Sequence, residues 1–255
     1  RPENTSTVTH MGAEGLFWVG QAPFTDEKHV FVNIGDGTFF HSGSLAIRQS
    51  VAAKMRVTYK VLFNGYVAMT GGQSHDGDLT VPRVVEIVLA EGVGRVVVVT
   101  NDLSKYRNLQ LPLNVPVYKR SELDAVQREL REFKGVSVLV YDQACATELR
   151  RQRKRNPALD IQKFTFINSE VCEGCGDCGI TSNCMSIEPL ETELGRKRKV
   201  NQSSCNKDFT CVDGFCPSFV TVIGGKLKKP ITASLDGPDV EILPLPDLPQ
   251  IQPNG

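Results

Sequence analysis

The sequence predicts a doubly wound α/β domain on a mostly parallel sheet, followed by a small, loop-rich module organised by its cysteines. Three observations predict this. Apolar runs and helical periodicities alternate from residue 30 to residue 141, and seven of the eight cysteines fall between Cys172 and Cys216. A 255-residue chain with 40% hydrophobic and 23% charged residues has the composition of an ordinary globular protein. The expected division is residues 1–165 for the α/β domain, 166–225 for the cysteine module and 226–255 for a proline-rich linker.

The elements follow in chain order. His29-Val30-Phe31-Val32-Asn33-Ile34 is an apolar strand ending at Gly35. Residues 38–54 have helical periodicity, with Phe40, Ile47 and Val51 at compatible spacings. Val57 to Phe63 alternates, placing Val57, Tyr59, Val61 and Phe63 on one side of a strand. Pro82 sits where a helix begins, and Gly92 and Gly94 where it ends. Val96-Val97-Val98-Val99, within Arg95 to Thr100, is a run suited to a strand buried on both faces. Ser121-Glu122-Leu123-Asp124 resembles a capped helix start with Asp in place of Glu or Gln, and Val136 to Tyr141 is the next strand. From Cys172 to Cys216 the chain is rich in Cys, Gly, Ser and Asn with little periodicity, as in a loop module held by a metal cluster. Leu243-Pro244-Leu245-Pro246-Asp247-Leu248-Pro249 reads as extended linker.

Charge and hydropathy exclude some classes. The formal net charge is zero, so no global field favours nucleic acid or an anionic membrane. No apolar run approaches membrane-spanning length. The start, Arg1-Pro2-Glu3-Asn4, has neither an initiator Met nor a signal-peptide pattern, so a processed or excised chain is expected. A long cysteine-poor stretch before a dense cluster favours a metal or iron–sulfur site in a reducing, cytoplasmic setting over a disulfide framework.

Gly35-Asp36-Gly37 follows a strand and opens a helix, at the crevice where open α/β sheets bind ligands. Glycines let a phosphate approach the backbone, and a helix N-terminus offers free N–H groups. Asp36 adds a hard oxygen suited to magnesium. One helix and one strand later, Asn64 returns to the same crevice, and the Tyr66 carbonyl is placed to complete the protein's share of the shell. Taken alone, Gly35-Asp36-Gly37 is also an ordinary turn signal.

Cys172-Glu173-Gly174-Cys175-Gly176-Asp177-Cys178 spaces three thiolates by two residues each, as in bacterial ferredoxins, where one tight loop wraps a 4Fe-4S cluster. Cys216-Pro217 fits the remote fourth ligand. Cys184, Cys205 and Cys211 are either a second, incomplete cluster or free thiols, since seven cysteines are one short of two full sites. Zinc is the inorganic rival. Cys145 reads as a buried structural thiol. The basic runs Arg150 to Arg155 and Arg196 to Lys199 read as solvated faces, with docking of an acidic ferredoxin or of coenzyme A phosphates as the alternative.

Gly-Asp-Gly, a helix, a strand and then Asn resembles the diphosphate-binding domain of thiamine-diphosphate enzymes. Met69-Thr70-Gly71-Gly72-Gln73 resembles the block that follows this Asn in 2-oxoacid:ferredoxin oxidoreductases, and Thr9 to Gly15 and Gly20 to Phe24 extend the likeness. Residues 1–225 are similar to the middle of the long, single-chain indolepyruvate ferredoxin oxidoreductase type. The resemblance implies that Asp36, Asn64 and the Tyr66 carbonyl hold magnesium, and that Gly35, Gly37 and Thr38 face the diphosphate. Thr70, Gly72 and Gln73 would lie near the thiazolium and substrate, and His10, Met11 and Glu14 would line the cofactor pocket. His41 is expected to be structural, and His75 and Asp76 have no assigned role. The implied reaction is oxidative decarboxylation of a 2-oxoacid to acyl-coenzyme A, with electrons leaving through an iron–sulfur cluster to ferredoxin. A pyrimidine-binding domain, supplied by an earlier part of a longer polypeptide or by a partner subunit, is implied beyond this stretch, so the chain alone should be inactive; an oligomer is also expected. A non-catalytic electron-transfer module and a zinc-binding interaction protein are the competing readings.

Overall fold

The computed structural model describes residues 7–75, 77–109, 111–112 and 114–225. The chain divides into two compact units, residues 1–160 and 161–255. The extreme N-terminus, Asp76 and the expected linker over 226–255 lie outside the described residues. Among the described residues no helix is long and apolar enough to cross a membrane.

In the first unit, β1 (Val30–Gly35), β2 (Val57–Phe63), β3 (Arg95–Thr100), β4 (Val117–Lys119) and β5 (Val136–Asp142) form one sheet in the order β1-β2-β5-β3-β4. Every neighbouring pair is parallel. The register sets Gly35 beside Leu62, Phe63 beside Asp142 and Thr100 beside Asp142, so four strands end on one rim. Helices α1 (Leu16–Gln21), α2 (Asp36–Thr38), α3 (Ser44–Ala52), α4 (Val81–Ala90), α5 (Leu123–Glu132) and α6 (Ala146–Arg155) complete the unit.

The central strands β2, β3 and β5 are largely buried on both faces. Val96 and Val98 join the larger core with Ile34, Ile47, Tyr59 and the α4 valines, while Val97 and Val99 pack with Leu139 against Val126 and Leu130 of α5. Each fully buried aliphatic side chain contributes about 1.5–3 kcal/mol, which explains why β3 tolerates no polar alternation. The α/β expectation therefore holds for this unit.

Some boundaries differ for physical reasons. The segment expected as a helix from residue 38 begins at Asp36, and its Phe39–Gly43 turn is π-helical before α3 resumes. The wider turn inserts one residue into the helical phase. Phe39 is therefore buried, and Phe40, expected in the core stripe, is 40% exposed. The α5 cap is also shifted: Glu122 accepts the Lys119 N–H at 2.8 Å, ahead of the Ser121 start.

His29, beside β1, bonds Thr58 Oγ1 through Nε2 at 2.7 Å, and Thr58 Oγ1 meets Ser137 Oγ at 2.7 Å. Burial, with the charges of Arg56 and Arg131, lowers the His29 pKa from 6.5 to about 4. The folded protein thus keeps His29 neutral where the unfolded chain binds a proton, so stability is lost as pH falls from about 6.5 towards about 4. His29→Gln should flatten this part of the acid limb in urea melts run at stepped pH. An unchanged limb would show that His29 does not carry it.

In the second unit, β6 (Lys163–Ile167) pairs antiparallel with β9 (Phe219–Ile223), and β7 (Ile187–Thr192) forms a hairpin with β8 (Gly195–Val200). α7 (Asp177–Ser182) follows the first cysteine loop. The β6–β9 pairing puts all of β6 in this unit, ahead of the sequence-derived boundary at 165. The hairpin corrects the loop-rich expectation between Cys172 and Cys216. Its strands carry Glu188, Glu191, Arg196 and Lys199 in cross-strand ion pairs, leaving little apolar alternation to read. Among the described residues of this unit, Phe164 and Cys172 are the buried hydrophobic side chains.

Candidate functional site

The rim of the first unit gathers the Gly-Asp-Gly turn and the loop after β2. Asp36 is 1% exposed. Its Oδ1 accepts the Gly37 N–H at 2.9 Å, and its Oδ2 accepts the Asn64 and Gly65 N–H groups at 2.9 and 2.6 Å. Asn64 Oδ1 accepts the Tyr66 N–H at 2.9 Å, which ties the three residues into one corner. A carboxylate has about four acceptor positions; with three taken, one on Oδ1 remains for a cation. The crowding follows from topology. β1 and β2 are adjacent and end together, so residues 36 and 64 must meet. Beyond Gly35 a Cβ would find no atom within 4 Å, so the approach to the turn is open.

The loop from Val67 to Gln73 closes on itself. Val67 N–H donates to Gln73 O at 2.8 Å and Gly72 N–H to Val67 O at 3.1 Å, while Thr70 Oγ1 donates to Gln73 Oε1 at 2.9 Å. Thr70 and Gln73 are exposed. Gly72 has φ +79°, and a Cβ there would overlap the buried Glu148 carboxylate of α6 and the Arg151 guanidinium. Glu148 is paired with Arg151 at 3.4 Å and Arg155 at 3.9 Å, and Gln152 Nε2 donates to the Tyr66 hydroxyl at 3.0 Å. The Arg150–Arg155 run is therefore not simply a solvated face: it supports the back of the Gly72 and Tyr66 loop.

His10, Met11 and Glu14 belong to another loop, which packs on Ser42. The Gly12 N–H donates to Glu14 Oε2 at 2.8 Å, and Gly12 lies so close to Ser42 that any Cβ would overlap its hydroxyl. Glu14 lines a cavity of about 340 Å³ running along β1, whose lining includes none of Asp36, Asn64 and Tyr66. His10 and Met11 are exposed and outside that lining. His41 is exposed, with Nδ1 2.7 Å from Ser42 Oγ, and the His75 ring stacks on Phe40 at 6.0 Å.

Gln143 belongs to none of the sequence motifs. It follows β5 on the same rim, its N–H donates to Phe63 O at 3.1 Å, and its Oε1 is buried without a hydrogen-bond partner. Its place just past a strand's carboxyl end was the available signal. Cys145, expected buried, is half-buried at the N-cap of α6.

In the second unit Cys172, Cys175, Cys178 and Cys216 line one cavity of about 160 Å³, together with Arg198. Burial pushes the Cys178 thiol up, and the charges of Cys172, Cys175 and Cys216 push the same way. Burial likewise pushes Cys211 up to about 11, with Cys205 and Cys184 adding. The thiols acting on Cys178 are Cys172, Cys175 and Cys216, and those acting on Cys211 are Cys205 and Cys184. All are free of disulfides. Among the described residues no three His, Cys, Asp or Glu side chains close on a single-ion point. In the second basic run, Arg196 and Lys199 pair with Glu191 and Glu188, and Lys197 donates to Cys172 O at 2.7 Å. These residues brace the hairpin and the first cysteine loop.

Residues 4–109 match the family described as thiamine pyrophosphate enzyme, C-terminal TPP binding domain. The chain is similar to the indolepyruvate oxidoreductase subunit IorA of Methanothermobacter thermautotrophicus, 31% identical over 169 residues that cover 63% of this chain and 24% of that protein. IorA of Pyrococcus horikoshii is 28% identical over 166 residues, covering 64% of this chain and 23% of that protein. The chain spans about a quarter of the length of these curated relatives. Among solved structures, a 2-oxoglutarate:ferredoxin oxidoreductase from Magnetococcus marinus overlaps 54% of this chain and 46% of its own at 18% identity, with a TM-score of 0.41.

Proposed function

We infer that this chain, whose residues 4–109 match the thiamine pyrophosphate enzyme C-terminal domain family and which is similar to indolepyruvate oxidoreductase subunits, is the diphosphate-binding and electron-exit segment of a 2-oxoacid:ferredoxin oxidoreductase. The observation that carries the reading is the corner where Asp36 takes the amides of Asn64 and Gly65. When bound, thiamine diphosphate supplies the electron sink for decarboxylation and a 4Fe-4S cluster accepts the electrons singly.

This chain's residues have separate tasks. Asp36, through its remaining Oδ1 lone pair, Asn64 Oδ1 and the Tyr66 carbonyl would hold magnesium, an ion that prefers oxygen ligands and bridges to phosphates. Gly35, Gly37 and Thr38 would face the diphosphate, with open space at Gly35 and the first-turn Thr38 amide as donor, since the Gly37 amide is held by Asp36 Oδ1. Gly72, held against Glu148, sets the loop that presents Thr70 and Gln73 to the substrate side. His10, Met11 and Glu14 serve a more distant part of the cofactor, towards the pyrimidine-binding domain that a partner stretch or subunit supplies. Cys172, Cys175, Cys178 and Cys216 would hold the cluster. Ferredoxin is the acceptor, coenzyme A takes the acyl group, and an arylpyruvate of the indolepyruvate type is the favoured substrate. A clustered, cluster-binding use of the cysteines favours a cytoplasmic location.

Calorimetric titration tests the core of the reading. The chain joined to its pyrimidine-binding partner should take up thiamine diphosphate only with magnesium, and anaerobically purified protein should contain iron and acid-labile sulfide. Iron without magnesium-dependent binding would support a bare electron-transfer module instead. A colourless, zinc-containing protein would support an interaction module.

A further inference from the structure

Two loops of the second unit are built alike. Cys172, Cys175 and Cys178 stand at three-residue steps, and Cys205, Asp208 and Cys211 repeat those steps with a carboxylate in the middle place. The backbone repeats too. The second and fourth residues after the first cysteine have positive φ in both loops: 73° at Gly174 and 87° at Gly176, then 58° at Lys207 and 60° at Phe209. In each loop the N–H two residues on donates to the first sulfur at 3.4 Å, Gly174 to Cys172 and Lys207 to Cys205. Each loop then enters a helical turn, α7 or Thr210–Val212. Glycine adopts such a conformation freely, whereas Lys207 and Phe209 do so under backbone strain. The fold therefore imposes the shape of the first loop on a sequence that does not favour it.

The neighbours are exchanged between the loops. Cys178 lies among Cys172, Cys175 and Cys216, where Cys216 follows the second loop. Cys184, which follows the first loop, accepts the Ser186 N–H at 3.4 Å, and Ser204 Oγ, next to Cys205, donates to Ser186 Oγ at 3.2 Å, which ties the Cys184 turn to the second loop. The Thr210 hydroxyl and N–H donate to Asp208 Oδ1 at 3.2 and 3.5 Å, which orients an exposed carboxylate. A cubane takes one ligand on each iron, so its ligand atoms surround a cavity and need not converge on a point.

We propose that Asp208 stands in for the missing eighth thiolate, so that Cys184, Cys205, Cys211 and the Asp208 carboxylate bind a second 4Fe-4S cluster whose oxygen-ligated iron is exchangeable. This rests on the iron–sulfur reading of the first four cysteines. A hard carboxylate holds iron in a sulfide core less firmly than a soft thiolate does. Ferricyanide removes one electron from the 2+ cubane, giving the 3+ core and ferrocyanide. The carboxylate then releases its iron as Fe²⁺, leaving a 3Fe-4S core of charge 1+ on the three thiolates.

The test uses the full chain, reconstituted anaerobically with ferrous iron and sulfide, with iron and sulfide analysis and electron paramagnetic resonance after ferricyanide. Wild type should hold iron for two clusters and develop a three-iron signal. Asp208→Cys should keep the iron and lose that signal at least tenfold; Asp208→Ala should show it on oxidation with less iron at the start. Cys178→Ser, which damages the first site, should leave the Asp208-dependent signal. The proposal is overturned if both Asp208 variants match wild type, or if wild type and Asp208→Cys hold iron for one cluster only. That second result leaves the first cluster standing. A complete lack of iron in every variant overturns both.

Discussion

Asp36→Ala is expected to abolish magnesium-dependent thiamine diphosphate binding and to weaken the first unit together. The buried carboxylate accepts three backbone amides from two strand ends. Hydrogen bonds to a charged group contribute about 1.5–3 kcal/mol each, and donors left unpaired in the interior carry a further penalty. Some of that is recovered as water enters the cavity, so a net loss of roughly 2–4 kcal/mol is expected in urea unfolding. Asp36→Asn separates the two effects. It keeps the shape and one acceptor oxygen but turns an NH₂ group towards N–H donors and removes the anion. Its fold should suffer less, while binding still falls by more than about 100-fold, beyond what loss of a supporting residue at a metal site does. Calorimetry of Asp36→Asn with magnesium and thiamine diphosphate is decisive: wild-type affinity would remove Asp36 from the site.

Stripping iron from the second unit should unfold it while the sheet of the first unit persists. Ordering each residue opposes folding by about 1–2 kcal/mol, and burying one aromatic such as Phe164 returns only about 1.5–3 kcal/mol. With Phe164 and Cys172 as its buried hydrophobic side chains and no disulfide, the described part of this unit lacks a core that could offset that cost. Metal–thiolate bonds can, at roughly 10–16 kcal/mol for a small structural zinc domain. After iron removal by a chelator, amides of β6–β9 and β7–β8 should exchange with deuterium at near-unprotected rates, and those of β2, β3 and β5 should stay protected. Retained protection across Lys163–Ile167 and Phe219–Ile223 in iron-free protein would show that the unit stands without a cluster.

The strands were legible because their signals are local. Val96 to Val99 is a β-branched run typical of a doubly buried strand, and Gly35-Asp36-Gly37 after an apolar run marks a strand end opening a helix. The π turn at Phe39–Gly43 was not legible, since nothing in Phe39-Phe40-His41-Ser42-Gly43 departs from helical composition. The same holds for α6, whose Arg-rich surface hides the buried Glu148 that supports Gly72. The β7–β8 hairpin was masked by charge, because ion pairs across its strands replace the apolar alternation that periodicity detects.

The sequence by itself determined the α/β class, the two strand ends that carry Asp36 and Asn64, and the spacing of Cys172, Cys175 and Cys178. All three are properties of short stretches, readable from apolar runs, turn residues and fixed intervals. Contacts between distant segments alone let the Asp36 carboxylate accept three amides while keeping one position open, bring Cys216 to the cavity of Cys172, Cys175 and Cys178, and give the Cys205 loop the backbone of the first cysteine loop. These depend on how distant segments are brought together by parallel register and by the fold of the second unit, a physical outcome that no local pattern encodes.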